Sequence, residues 1–259
     1  MKHGENDCNS LFFVIKSRIL KPSDNKVIQE RIDTLRRRIA GACLRAGREP
    51  SEVTLIAVSK TFGTEDIAEA RREGIADFGE NYIQELREKR EVLGSSDIRW
   101  HFVGHLQTNK IRYIADWIHL IHSVDTLRLA RALSDAGLKI GRAIPFLVEV
   151  NTTGESSKFG CAPSETPGLI KEAAKLSSVR IDGLMTMGPL PGTPGDTRRA
   201  FRALGEMAGK LRGEGYPLPH LSMGMTGDFE IAIAEGATLV RVGTAIFGTR
   251  AGPGSGPEH

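Results

Sequence analysis

Residues 53–74, VTLIAVSKTFGTEDIAEARREG, decide the architecture. The first seven residues are almost continuously apolar. That is the pattern of a strand buried on both faces, not one that alternates between core and water. From Thr64 onward the apolar residues recur at helical spacing. Thr64 is the expected cap, and Glu65 and Asp66 fall in the first turn, where the helix dipole favours negative charge. The stretch therefore reads as one strand followed by one helix.

The same alternation continues to the end of the chain. Strands are expected at residues 77–79, 99–103, 117–123, 145–150, 180–185, 220–223 and 238–242. Helices are expected between them at 81–93, 108–115, 126–136, 163–176, 197–212 and 228–235, with a last helical turn from Thr244. Repeated strand–helix units form a parallel sheet covered on both faces. Eight such units in a chain of this length favour closure into a barrel over an open sheet. No Gly-x-Gly-x-x-Gly follows the first strand, which argues against a dinucleotide-binding open sheet. The fold class read here is α/β, a single (β/α)8 TIM barrel with an additional N-terminal helix.

That extra helix is expected at residues 26–46, where Val27, Ile28, Ile32, Leu35, Ile39 and Leu44 recur at helical spacing before Gly47 and Pro50. Residues 1–24 read as a disordered or weakly docked extension, 25–250 as the barrel, and 251–259 as a disordered tail. The Pro/Gly-rich segment 188–195 reads as a loop after strand six.

Composition excludes several classes. Hydrophobic residues are 40% and charged residues 26% of 259, which rules out a disordered chain. A net charge of +3 lacks the concentrated basic stripe of a nucleic-acid binder. The apolar run at 11–15 is too short for a signal peptide, and no run of 18 apolar residues exists to span a membrane. The three cysteines, Cys8, Cys43 and Cys161, match neither a zinc spacing nor a disulfide framework, so a reducing, cytoplasmic setting and no metal are expected.

In such barrels the functional groups stand at the C-terminal ends of the strands. The polar or notable residues there are Lys60, Asn81, His105, Ser123, Asn151, Met185, Thr186, Ser222, Gly243 and Thr244. Lys60 ends the dry run of strand one, where a desolvated amine suits Schiff-base formation with an aldehyde. A lysine that merely snorkels to solvent is the alternative. At the other end of the chain, Ser222-Met223-Gly224-Met225-Thr226-Gly227-Asp228 follows strand seven and Gly243-Thr244 follows strand eight. Barrels bind phosphate with these two loops, and small residues let backbone N–H groups approach the anion. A lysine after strand one with a phosphate cradle after strands seven and eight is the layout expected for pyridoxal 5′-phosphate. Arg241 shares a strand face with Gly243 and can meet the pyridine nitrogen, or else pair with a nearby carboxylate.

The strings VSKT at 58–61, FGENYIQE at 78–85, WHFVGHLQTNK at 100–110, IHSVD at 121–125, GLMTM at 183–187, LSMGMTGDFE at 221–230 and VRVGTAIFG at 240–248 resemble the pyridoxal phosphate homeostasis protein family, also called the YggS or PROSC family. The resemblance runs collinearly from about residue 26 to 250. It implies a barrel like the N-terminal domain of alanine racemase and a pyridoxal 5′-phosphate cofactor held by Lys60 as an internal aldimine. It implies a phosphate held by Ser222, Gly243 and Thr244 with the Met225–Thr226 turn, and Arg241 at the pyridine nitrogen. Asn81 and Met185 would line the pocket near the ring, with His105 behind; Met185 also reads as a barrel-core filler. Lys158 matches a lysine of the family in the loop after strand five, or is a mobile surface lysine. Phe62-Gly63 replaces the Lys-Pro-like pair of many members.

Two functions follow from this. The favoured one is a carrier that maintains pyridoxal phosphate homeostasis without turning over a substrate, handing the cofactor to apo-enzymes. The alternative is a racemase-like enzyme. The sequence ends soon after strand eight, with no expected capping domain to supply a second base, and Tyr82, Tyr113 and Tyr216 are not clearly placed to do so. A monomer is expected, with a dimer as the alternative, and neither nucleic acid nor membrane as partner.

Overall fold

The computed structural model describes residues 22–94, 97–155 and 157–249. Eight strands form one closed parallel barrel in sequence order: β1 Thr54–Val58, β2 Asp77–Glu80, β3 Arg99–Phe102, β4 Leu120–Val124, β5 Ile144–Glu149, β6 Val179–Met185, β7 His220–Ser222 and β8 Leu239–Val242. Closure is between β8 and β1, with Ile56 opposite Arg241 and Ala57 opposite Val242.

All eight strands expected from the sequence are present. The helices are α1 Pro22–Arg45, α2 Thr64–Arg72, α3 Ile83–Leu93, α4 Leu127–Ile140, α5 Thr166–Ala173, α6 Pro194–Gly213, α7 Phe229–Ala234 and α8 Thr244–Phe247. Several boundaries differ from the expectation. α1 begins at Pro22, inside the segment read as an extension; residues 1–21, and the tail from 250, lie outside the described residues. Thr64 is the first helical residue of α2 and not its cap. Gly63 takes that place, and the carboxylate of Asp66 accepts its N–H at 3.0 Å. Residues Thr108–Tyr113 form a 3-10 helix where an α-helix was expected. α6 starts within the Pro/Gly-rich segment, because Thr193 and Asp196 form a reciprocal capping box and Pro194 suits the first turn.

Ile28, Ile32, Leu35, Ile39, Ala42 and Cys43 of α1 are buried, one stripe of the helix facing the barrel. Val27 and Leu44, expected on that stripe, are exposed. α1 packs against α2, α7 and α8 and so covers the seam where β8 meets β1. Arg48, just past α1, donates to the carbonyls of Ile233 and Ala237 at 3.0 and 2.8 Å, which fixes α1 to α7.

The main apolar core lies between the strands and the helical ring. A second, smaller apolar group fills the barrel itself: Ile56, Leu120, Leu147, Met185 and Leu239, with Met187 against it. The rest of the interior is polar, which bears on the site below. No described helix is long and apolar enough to cross a membrane.

Candidate functional site

At the C-terminal ends of the strands lies a cleft of about 590 Å³. Eight of the nine expected site residues line it: Lys60, Asn81, Met185, Met225, Thr226, Arg241, Gly243 and Thr244. The ninth, Ser222, is fully buried below it. Met185 serves both roles weighed for it, since it also belongs to the apolar group inside the barrel.

Lys60 stands on a turn that is held from beneath. β1 ends at Val58. The carbonyl of Ser59 accepts from Lys89 Nζ at 2.8 Å, and its hydroxyl donates to Glu80 Oε1 at 2.7 Å. Lys89 also donates to Glu80 at 2.7 Å and to Glu85 at 3.1 Å. Glu85 in turn accepts the Thr61 N–H at 2.9 Å. Thr61 has φ of 69°, costly for a β-branched residue, and this anchored turn sustains it. Lys60 itself is exposed. The sequence suggested an amine enclosed by a dry strand end; the strand stops two residues earlier, so the side chain rises from the rim instead.

Arg241 forms part of the floor and is 5% exposed. Its guanidinium donates to the hydroxyl of Ser222 and, at 3.0 Å, to the carbonyl of Thr186. Neither contact is a carboxylate, so the ion-pair alternative raised from the sequence is not what holds it. Burial draws its pKa down to about 10, while Glu149 and Asp228 oppose that shift at longer range. It remains protonated at neutral pH. Glu149, at the end of β5, is pushed up to about 7 by burial, with Asp125 adding to the rise and Arg241 opposing it.

The two loops beside Arg241 are shaped by lack of room. Gly224 has φ of 93°, and a Cβ there would meet Ala232 Cβ at 2.6 Å. A Cβ on Gly243 would meet the carbonyl oxygen of Val58 at 2.9 Å. Bare backbone at 243 can thus lie against β1. The Arg241 N–H bonds to the Gly224 carbonyl at 2.9 Å, and Asp228 accepts the Met225 N–H, tying the two loops together.

Other expected residues lie elsewhere. His105 is exposed and stacks on Phe159 with ring centroids 4.2 Å apart. It lines a neighbouring groove of about 850 Å³ that shares Asn81 with the cleft. Tyr82 and Tyr113 line that groove too, whereas Tyr216 packs against the core. No tyrosine, histidine or carboxylate is among the described residues lining the cleft. Lys158 bonds Glu155 at 2.7 Å and the Gly188 carbonyl at 2.9 Å, joining the loops after β5 and β6. Asn151 folds its own loop, bonding Glu155 O and the Gly154 N–H.

Sequence reasoning missed Glu80, Glu85 and Lys89 below Lys60, and did not bring Asp77, His101 and His122 together inside the barrel, where the two histidines are hydrogen-bonded structural groups. The alternation used for Arg241 would have placed both histidines inward had it been applied to β3 and β4. Asp77, His101 and His119 lie within 4.8 Å of one another, a spacing compatible with a cation. However, Arg99 binds both Asp77 oxygens, and both His101 nitrogens are engaged, so two of the three groups are already in use.

The alanine racemase N-terminal domain family matches residues 31–251. A pyridoxal phosphate homeostasis protein of Aquifex aeolicus (strain VF5) is 43% identical over 222 residues, covering 85% of this chain and 97% of that protein. The crystal structure of an unknown protein from Bifidobacterium adolescentis has a TM-score of 0.84 at 35% identity, covering 88% of this chain and 98% of that one. PipY of Synechococcus elongatus PCC7942, solved with PLP bound, has a TM-score of 0.75 at 36% identity, covering 85% of this chain and all (100%) of that one.

Proposed function

The chain belongs to the pyridoxal phosphate homeostasis protein family, and from that premise we propose that it binds pyridoxal 5′-phosphate through Lys60 and passes it to apo-enzymes without turning over a substrate. When bound, the cofactor supplies an aldehyde that bonds reversibly to an amine and a ring that can draw electrons from a carbon on that nitrogen. The residues present suit it. An amine stands on the rim, a buried guanidinium lies in the floor, and bare backbone at Gly243 abuts β1 where a phosphate cradle is needed.

In this reading Lys60 forms the covalent bond, and the Glu80–Glu85–Lys89 cluster fixes the turn from which it rises. Gly243, Thr244 and the Met225–Thr226 turn surround the phosphate. Arg241 has five N–H groups, and two are engaged by Ser222 and Thr186. The remainder serve the pyridine nitrogen. A guanidinium donates there and disfavours a further proton on the ring, which weakens electron withdrawal compared with an acidic partner. Asn81 and Met185 flank the ring.

One observation carries the choice of carrier over racemase. Lys60 is exposed in an open cleft, and no second acid–base side chain is among the described residues that line it. Racemisation needs a proton acceptor on one face of the substrate and a donor on the other, in a site that excludes water. Transfer of the cofactor needs only that an incoming amine reach the bond to Lys60. The reading sets the protein in a reducing cytoplasm as a monomer, and Cys43 and Cys161 are both free and buried.

The test is a paired assay. Protein loaded with pyridoxal 5′-phosphate is mixed with an apo-enzyme that requires it, and separately with L- and D-alanine. Recovery of the apo-enzyme's activity without racemisation is expected. Sustained racemisation at catalytic amounts of protein would reverse the conclusion.

A further inference from the structure

Five strands contribute one buried polar side chain each to a continuous line through the barrel. Arg241 of β8 donates to Ser222 Oγ of β7. That oxygen lies 2.9 Å from His122 Nδ1 of β4. His122 Nε2 lies 2.9 Å from His101 Nδ1 of β3, and His101 Nε2 lies 3.0 Å from Asp77 Oδ1 of β2. Every member is buried. The line crosses an interior that barrels usually fill with branched apolar layers.

The donors can be assigned one after another. Asp77 is ionised: burial alone would raise it, but the hydrogen bonds from His101 and Arg99 hold it at about 2. An ionised carboxylate only accepts, so His101 Nε2 carries a proton. A neutral His101 then accepts at Nδ1, and His122 must donate from Nε2. A neutral His122 accepts at Nδ1, so the Ser222 hydroxyl donates to it. The oxygen lone pairs of Ser222 remain to accept from Arg241. The reverse order would require His101 to carry protons on both nitrogens, and burial opposes a charged imidazole there.

We infer that this line is directional, with His101 and His122 both neutral and protonated on Nε2, and that Ser222 and His122 are positioning residues that fix the Arg241 guanidinium in the floor of the cleft. Ser222 is thereby committed. Its one proton goes to His122 and its oxygen accepts from Arg241, so it acts on the cofactor through Arg241 and not through the phosphate. The second half of the inference rests on the reading that Arg241 meets the pyridine ring; the tautomers do not.

Two arms test it. Protein with ¹⁵N-labelled histidine, freed of pyridoxal 5′-phosphate, is studied by long-range proton–nitrogen correlation at neutral pH. Both rings are expected to show the neutral pattern protonated on Nε2. A proton on Nδ1 of either ring, or an imidazolium, overturns the assignment, and this arm needs neither a variant nor the cofactor. In the second arm, Ser222→Ala and Ser222→Thr are loaded with pyridoxal 5′-phosphate. Ser222→Ala is expected to displace the visible absorbance maximum and to weaken binding about tenfold, the factor for one charge-assisted hydrogen bond. Ser222→Thr, which keeps the hydroxyl, is expected to restore both; a loss of packing alone would not depend on the hydroxyl. If the tautomers are as assigned but Ser222→Ala leaves absorbance and affinity unchanged, the positioning role falls, and with it the contact between Arg241 and the ring.

Discussion

Glu149→Gln is expected to stabilise the protein at alkaline pH and to leave it unchanged in acid. Glu149 ends β5 and is 4% exposed. Burial is the main cause that pushes it up to about 7 from 4.5, Asp125 adds to the rise, and Arg241 only partly opposes it. A group whose folded pKa is raised stabilises fully below its unfolded pKa and loses that contribution as pH rises through the folded one. The loss therefore develops between pH 4.5 and about 7. Going from 4.5 to about 7, at about 1.4 kcal/mol per tenfold change in proton affinity, gives a loss of about 3 kcal/mol for this residue. Glutamine is neutral throughout and close in shape. The stability of Glu149→Gln relative to the parent should climb from near zero around pH 4 to about 3 kcal/mol above pH 8. Urea denaturation of both proteins at matched pH values reads this difference, and the pH dependence of groups that do not interact with Glu149 cancels in it. A flat difference would refute the burial argument. A difference of opposite sign would mean that Arg241 holds the ionised carboxylate more strongly than burial opposes it.

Lys60→Ala should leave no pyridoxyl group fixed on the chain after borohydride reduction, read by peptide mass spectrometry; a fixed group on another lysine would displace Lys60 from its role. Gly243→Ala brings a Cβ to 2.9 Å from the Val58 carbonyl, and binding of pyridoxal 5′-phosphate should weaken by about tenfold or more in fluorescence titration. Unchanged affinity would remove Gly243 from the phosphate cradle. Lys89→Met leaves Glu80 buried without its cation and should cost about 3–5 kcal/mol in chemical denaturation. Adding Glu80→Leu should recover most of that loss, and a double variant no better than the single one would contradict the ion-pair account.

The strand count was legible because parallel barrel strands are buried on both faces and read as short apolar runs between helical stretches. The N-terminal limit of α1 was harder to place: residues 22–25 carry no apolar periodicity, and the helix reaches Pro22 all the same. At 108–113 the apolar spacing does not separate an α-helix from a 3-10 helix, since both bring a residue three or four positions on to the same side. Residues that line the cleft were anticipated where one strand end declares itself, as at Lys60 and Gly243. Residues that act through another chain segment were missed. Nothing local marks Lys89 as the partner of Ser59, thirty positions away, or His122 as the partner of Ser222, a hundred away. Ser222 shows the limit most clearly. Its position in a small-residue loop suggested a phosphate donor, and only the fold reveals that its hydroxyl is already shared by Arg241 and His122.

The two buried clusters divide the labour of the site in a way that fits a carrier. Beneath Lys60, the Glu80–Glu85–Lys89 cluster fixes a strained turn; in the floor of the cleft, the line from Asp77 ends on the Arg241 cation. The first braces the cleft from between β2 and α3 and the second from inside the barrel, and such pre-organisation lowers the ordering cost of binding. The rim above them is different, because Lys60, Met225 and Thr244 are exposed. Under the proposed function, this bonded floor would hold the ring and phosphate while the exposed rim would let an outside amine approach the bond to Lys60. An enzyme that directs a proton to a chosen face needs its acid–base groups in the cleft itself. Here the described buried histidines, His101 and His122, are bonded to one another, and neither lines the cleft.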